Sequence, residues 1–348
     1  MNGLDALWFG ESFAARAARA TLWPASALFG AAVRVRGAMY DRGLLSVHAP
    51  ALPVLSIGNV TVGGTGKTPV AAWAAARLSA AGAHPALLLR GYGGDEPLVH
   101  GELNPGVPVL ANADRVAGVR EARARGADCV VLDDAFQHRR LARTADWVLV
   151  AAERGAAVAR LLPAGPAREP ASALHRADVV LVTRKSATRD AAEALATRIA
   201  HDTGVETAIC HLALDAVVDA SSGQPHPLER LRGARLLAVA AIGAPASFFA
   251  QLHAAGAAEL RTVSFRDHHA FDSGDVAHLV AEAARADAVV CTLKDAVKLS
   301  PLWPHGATPL WYVSLHARIE RAERALDASL ERILSARANA SSTAGDAG

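Results

Sequence analysis

Short apolar, strand-like runs alternating with helix-forming segments predict an α/β protein: a Rossmann-type sheet flanked by helices, with a second, smaller α/β lobe after it. Three observations carry this expectation. Val54-Leu-Ser-Ile-Gly-Asn59 reads as a buried strand that passes through a glycine-rich turn into a helix start at Lys67. Further apolar runs, at Pro85–Arg90 and Asp128–Asp133 among others, close on Gly or Asp, where open α/β sheets place ligand contacts. The composition of the 348 residues, 51% hydrophobic but only 5% aromatic, is that of a globular chain rich in Ala, Val and Leu.

The turn after the first strand contains Thr61, Val62, Gly63, Gly64, Thr65, Gly66, Lys67 and Thr68. A loop that brings several backbone N–H groups to one polyphosphate needs residues without a Cβ at the closest approach, and the three glycines supply them. Lys67 is placed to put an ammonium on the β- and γ-phosphates, and the Thr68 hydroxyl to ligate Mg²⁺ at the helix N-terminus. The first glycine of the usual G-x-x-x-x-G-K-[ST] pattern is replaced by Thr61. A merely flexible turn is the competing reading, but the preceding strand and following helix both suit a P-loop NTPase-like sheet. Pro69 falls in the first helical turn, where its missing N–H is harmless.

A net charge of +2 carries no bulk nucleic-acid footprint. Cys129, Cys210 and Cys291 lie far apart in apolar runs without metal spacing, as reduced structural thiols do. The N-terminus carries Asp5 and Glu11 and lacks the basic head of a signal peptide.

Residues 1–48 read as amphipathic helix, with Leu4, Leu7, Trp8 and Phe13 near one face and Arg16 and Arg19 beside them. The uncharged run Ala20–Val33 is too short to span a bilayer, which needs about 20 residues. Such a helix either lies in a membrane interface or packs on the protein's own core. The second strand ends in Gly91-Tyr-Gly-Gly-Asp-Glu-Pro97, which is either a ligand-binding turn or a solvated one. Asp133 and Asp134 close an apolar strand, where phosphate-loop enzymes hold Mg²⁺. Leu162–Pro170 is a stiff loop carrying Arg168 and Glu169. Composition loosens from Leu212 to Pro227, and a smaller α/β unit follows. Within it Phe265–Asp272 concentrates two histidines and two aspartates, as a proton-exchanging site or as a capping Asp with surface histidines. The expected divisions are an N-terminal helical region (1–48), a phosphate-loop core (49–211), a linker (212–234), a smaller lobe (235–308), a return strand and helix (309–336, the helix from Ala317) and a disordered tail (337–348).

Gly58-Asn59, Thr61–Pro69, Arg90-Gly-Tyr-Gly, Gly94–Pro97, Asp133-Asp-Ala-Phe-Gln-His138, Pro163–Glu169, Asp267-His268 and Lys294-Asp-Ala-Val-Lys298 together resemble the tetraacyldisaccharide 4′-kinase (lipid A kinase) family, from the N-terminal helix to the last strand. The resemblance implies ATP-dependent, Mg²⁺-assisted phosphorylation of the 4′-hydroxyl of a tetraacyldisaccharide 1-phosphate, a lipid A precursor, to lipid IVA. It implies a peripheral enzyme on the cytoplasmic face of the bacterial inner membrane, seated through its N-terminal helix, with no nucleic acid and no obligatory protein partner. It also implies two lobes joined by a two-stranded linker. Asp95 and His268 take the positions of the family's catalytic pair, and Asp133, Asp134 and Gln137 those of its Asp-Asp-Gly-Phe-Gln element, with Ala135 replacing glycine. Arg168 and Glu169 are expected to contact nucleotide or metal. Two departures stand out: the spacer before Gly94-Asp-Glu-Pro97 is nearly absent, and Leu293 replaces a glutamate before Lys294.

Two other classes compete. Partitioning-type nucleotide switches share Gly-Gly-Thr-Gly-Lys-Thr but carry a lysine where this chain has Val62. A non-catalytic nucleotide-gated membrane scaffold would bind ATP and make no sugar-lipid product. A GTPase is disfavoured because Thr292-Leu-Lys-Asp295 sets its lysine one place late for a guanine reader.

Overall fold

The computed structural model describes residues 3–91, 94–243 and 245–345. Tyr92 and Gly93 of the Arg90-Gly-Tyr-Gly element, and the tail residues 346–348, lie outside them. The chain runs α1 (Gly3–Phe9), α2 (Phe13–Asp41), β1 (Val54–Asn59), α3 (Lys67–Ala80), β2 (Pro85–Leu89), α4 (Glu96–Leu103), β3 (Val109–Ala111), α5 (Arg115–Ala124), β4 (Cys129–Asp133), β5 (Ala145–Ala151) and β6 (Val179–Arg184). It continues through α6 (Arg189–Thr203), β7 (Glu206–Asp219), β8 (Pro225–Pro227), β9 (Arg235–Ala240), α7 (Pro245–Ala254), β10 (Glu259–Ser264), α8 (Ser273–Glu282), β11 (Ala288–Thr292), α9 (Leu293–Leu299), β12 (Leu310–Arg321) and α10 (Glu323–Gly345).

Two compact units result: Met1–Gly91 with Leu103–His211 and Ile319–Gly348, and Tyr92–Glu102 with Leu212–Arg318. In the first unit the strand order is β7-β6-β5-β1-β4-β2-β3, and the pairings within it are parallel. β1, β2 and β4 are buried along their whole length, so they read as continuous apolar runs. β1 lies between β4 and β5, with Ile57 opposite both Asp133 and Trp147. β4 therefore ends opposite Ile57 while β1 runs on two residues to Asn59, and both strands finish at the carboxyl edge of the sheet, the usual place for a ligand. In the second unit β10-β9-β11-β12 form a parallel array, with cores built on residues such as Leu236, Val290 and Trp311 on one face and Leu237, Val289 and Phe271 on the other.

Four expectations are corrected. Residues 212–219 belong to β7, which carries the chain from one unit into the other, so only part of 212–234 is irregular. β12 continues to Arg321, and α10 starts at Glu323 rather than near Ala317. α10 runs on to Gly345, because Ala and Ser favour or tolerate helix once its earlier turns have paid for nucleation. Asp95 lies in the stretch that groups with the second unit, not in the core assigned to 49–211.

Candidate active site

In the first unit the phosphate loop is shaped by close approach. Gly63 has φ +110° and Gly66, at the N-cap of α3, has φ +87°, conformations that L side chains rarely adopt. A Cβ on Gly58 would stand 2.5 Å from Phe136 Cβ, so β1 and the Asp133–His138 turn can approach only without one. Asn59 Nδ2 donates to Thr65 Oγ1 at 2.8 Å, and Thr183 Oγ1 donates to Thr65 O at 2.8 Å. Lys185 Nζ donates to Gly64 O (2.9 Å) and Arg154 Nη1 to Val62 O (2.9 Å). The loop thus keeps its form through side chains from β1, β6 and the turn after β5.

The two adjacent aspartates face different partners. Thr68 Oγ1 donates to Asp133 Oδ2 at 3.1 Å. Asp134, held at φ +54°, lies 3.8 Å from Lys67 Nζ and accepts two bonds from Arg168, at 2.7 and 3.2 Å. Burial pushes the Asp134 carboxyl up, but the Lys67 and Arg168 cations outweigh it and hold the group below the ordinary carboxylate value. Arg168 also binds the side chain of Asn59. Glu169 is buried, accepting from Gln137 Nε2 (3.0 Å) and Arg176 Nη2 (2.8 Å). Gln137 Nε2 also donates to Asn59 O. Thr61 and Val62 are tied to the Arg168 loop by Val62 N donating to Pro166 O (2.7 Å) and by a bridge between Thr61 and Ala167. Lys67, Asp134, Arg168, Asn59, Gln137 and Glu169 therefore fall in one connected network, with Thr68 and Asp133 paired beside it.

Among the described residues no group of three or more His, Cys, Asp or Glu side chains could hold a metal unaided. The oxygen pair Thr68 and Asp133 does match the donors Mg²⁺ takes, which are one or two protein oxygens completed by water and phosphate.

In the second unit Asp95 is buried at the N-terminus of α4, 3.4 Å from His268 Nδ1. The shortened spacing before it leaves it within reach of that imidazole. His268 has φ +59°, an uncommon conformation for a non-glycine residue and a mark of local strain. Lys298 and Lys294 place their ammonium groups 3.7 and 4.0 Å from Asp95 Oδ2, and Lys294 Nζ is 3.1 Å from His268 Nε2. Asp295 points elsewhere, accepting from Thr292 Oγ1 (2.7 Å) and Ala241 N (3.1 Å). Leu293 is buried. The residues of the Phe265–Asp272 loop face different ways. His268 faces Asp95, whereas Asp272 caps α8 in a capping box with Asp275, and His269 bonds Asp275 at 2.7 Å.

Sequence reasoning missed the arginines behind the site. Arg143 Nη2 donates to the carbonyls of Ala135, Phe136 and His138, and its Nη1 to Asp146 at 2.9 Å. Arg115 Nη2 bonds Asp133 O, and Arg176 lies 4.3 Å over the Phe136 ring.

A phosphate loop after the central strand, with a hydroxyl and a neighbouring strand's carboxylate at its helix start, gives this chain the features of a P-loop nucleotide-binding protein. It belongs to the tetraacyldisaccharide 4′-kinase family: the family model described as Tetraacyldisaccharide-1-P 4′-kinase (LpxK) matches residues 18–95 and 93–335. A tetraacyldisaccharide 4′-kinase of Anaeromyxobacter dehalogenans (strain 2CP-1) is 39% identical, with 96% of each chain covered. One from Syntrophus aciditrophicus is 37% identical over 85% of this chain and 88% of its own. The crystal structure of LpxK from Aquifex aeolicus in complex with ATP superposes with a TM-score of 0.71 at 26% identity, covering 90% of this chain and 99% of that one.

Proposed function

We propose that this chain transfers the γ-phosphate of ATP to the 4′-hydroxyl of a tetraacyldisaccharide 1-phosphate, giving lipid IVA, at the cytoplasmic face of the inner membrane. The observation that carries the reading is the buried Asp95 carboxylate beside His268. A nucleotide switch or scaffold has no use for such a pair, whereas a kinase acting on an alcohol needs a base for its proton.

Lys67 and the loop amides bind the β- and γ-phosphates, with Arg168 beside them. Thr68 and Asp133 would hold Mg²⁺, which when bound neutralises charge on the phosphates. Asp134 keeps Lys67 and Arg168 in place, and Glu169 fixes Gln137. Asp95 accepts the sugar proton, and His268 orients the carboxylate. Lys294 and Lys298 set their ammonium groups beside the Asp95 carboxylate, at 4.0 and 3.7 Å from Oδ2.

The membrane seat is α2. Phe13, Trp23, Leu28 and Val35 are exposed, Phe13 at 82% and Leu28 at 74%, while Ser26 and Gly30 are buried. A helix with an apolar face toward solvent and arginines at its margin suits a headgroup plane, and among the described residues no helix is long and apolar enough to cross a membrane. Thin-layer analysis of ³²P transfer from ATP to the tetraacyl disaccharide tests the reading. A labelled lipid product supports it; nucleotide binding without any product favours the scaffold.

A further inference from the structure

We infer that Trp8 and Ser26, from the two N-terminal helices, are positioning residues for the nucleotide site, acting through the turn that leads to Arg168 and Glu169. A serine inside a helix commonly bonds back to its own helix or faces water. Ser26 instead is buried and reaches across to residues far along the chain. Its Oγ donates to Leu161 O at 2.9 Å and accepts from Ala164 N at 2.9 Å, closing both ends of one turn. Trp8 Nε1 donates to Pro163 O at 3.0 Å, between those two points. One helical turn beyond Ser26, a Cβ on Gly30 would stand 2.6 Å from Leu161 Cδ1, so α2 lies against this turn with no room to spare.

The held turn connects directly to the nucleotide residues. Gly165 N donates to Leu161 O (2.9 Å), and the neck is closed by Leu162 N to Ala167 O (2.9 Å) and Ala167 N to Arg160 O (3.0 Å). The next bonds join the neck to the strand entering the phosphate loop: Val62 N to Pro166 O and Arg168 N to Val60 O, both 2.7 Å. Arg168 then grips Asp134 and Asn59, and Glu169 grips Gln137. α1 has a second route, because Phe9 stacks on Arg154 at 5.3 Å while Arg154 donates to Val62 O. Three hydrogen bonds from α1 and α2 therefore select one arrangement of a proline- and glycine-rich loop that would otherwise sample several. Apparent nucleotide affinity falls by the fraction of chains in which the loop is misplaced.

This inference rests on the nucleotide-binding reading of the loop and not on the identity of the lipid acceptor. The test is the affinity of the full chain for a fluorescent ATP analogue with Mg²⁺, measured for wild type, Ser26→Ala, Trp8→Phe and the control Ser329→Ala. The control removes another buried hydroxyl, which bonds Ala325 O within α10. Ser26→Ala and Trp8→Phe are each expected to weaken binding about 3- to 10-fold, the range of one hydrogen bond, with Ser329→Ala equal to wild type. If Ser26 acts through Arg168, Ser26→Ala adds less than about 2-fold in an Arg168→Ala background. Wild-type affinity in both folded single variants, or full additivity with Arg168→Ala, overturns the inference. A wild type that binds no nucleotide overturns the reading beneath it as well.

Discussion

Asp133 and Asp134 are neighbours in sequence, and their side chains are given separate work by one backbone dihedral. Asp133 ends β4 in extended form and meets Thr68, while the left-handed Asp134 turns toward Lys67 and Arg168. The sequence could place both carboxylates at a strand end; it could not divide them, because that division depends on a φ of +54°. Asp95 and His268 are recognisable as a pair only through the family resemblance, since they stand 173 positions apart in the chain and only tertiary structure brings them together. Asp95→Asn and His268→Ala are each expected to lower kcat by about 10²- to 10⁴-fold, with the KM for ATP changed less than about 3-fold; steady-state kinetics at saturating lipid check this.

His138 offers a separate test at the same scale. Burial, with Arg115 and Arg143 nearby, pushes its imidazole down to about 4, and its Nε2 has no hydrogen-bond partner. A histidine depressed on folding contributes stability that is fully present above the unfolded value of about 6.5 and is lost as pH falls toward 4. Asp146 acts with the opposite sign. Burial raises it to about 6 against the pull of Arg143, so its contribution is full at low pH and fades as pH rises through that value. His138→Leu should therefore flatten the loss of stability between pH 6.5 and 4, by up to about 3 kcal/mol at the acid end. Denaturant unfolding across that range measures it, and an unchanged acid slope would count against the buried neutral imidazole.

At the scale of elements, the turn after β4 depends on an arginine that no motif names. Arg143 holds three of its carbonyls and pairs with Asp146, whose buried carboxylate would be left without that cation in Arg143→Met. The expected loss is about 3–5 kcal/mol in urea unfolding, with much of it recovered in the Arg143→Met, Asp146→Leu double variant. α2 divides its faces between the Leu161–Ala164 turn and solvent. Asp substituted at both Trp23 and Leu28 should cut sedimentation with anionic vesicles at least about tenfold while nucleotide binding stays at the wild-type level. Equal sedimentation would remove the membrane role from this face.

The elements also show where a sequence can be read. β1, β2 and β4 are buried on both faces and so appear as apolar runs bounded by Gly or Asp. β7 and β12 are buried at only a few positions along their second halves. There Asp215 and Asp219, or His316 and Arg318, look like turn or helix residues, and only tertiary pairing makes them strand. The end of α10 was misread because its Ala and Ser are compatible with both tail and helix.

For the whole molecule, chemistry is partitioned by unit. Lys67, Thr68, Asp133, Asp134, Gln137, Arg168 and Glu169 belong to the first, and Asp95, His268, Lys294 and Lys298 to the second. Nucleotide binding should therefore survive changes that abolish transfer. The residues of the first unit were largely legible, because a phosphate loop needs glycine, lysine and hydroxyl in fixed order. The arginines Arg115, Arg143 and Arg176 were not, since an arginine that supports a site looks in sequence like any other surface charge.

The most direct test is transfer of ³²P from γ-labelled ATP to the tetraacyl disaccharide by purified wild type, Lys67→Ala and Asp95→Asn, with nucleotide binding followed in parallel. The account predicts labelled lipid from wild type, weakened ATP binding and no product from Lys67→Ala, and retained ATP binding with product formation reduced at least about 100-fold in Asp95→Asn. Wild-type rates in Asp95→Asn, or a folded, ATP-binding wild type that labels no lipid, would contradict it.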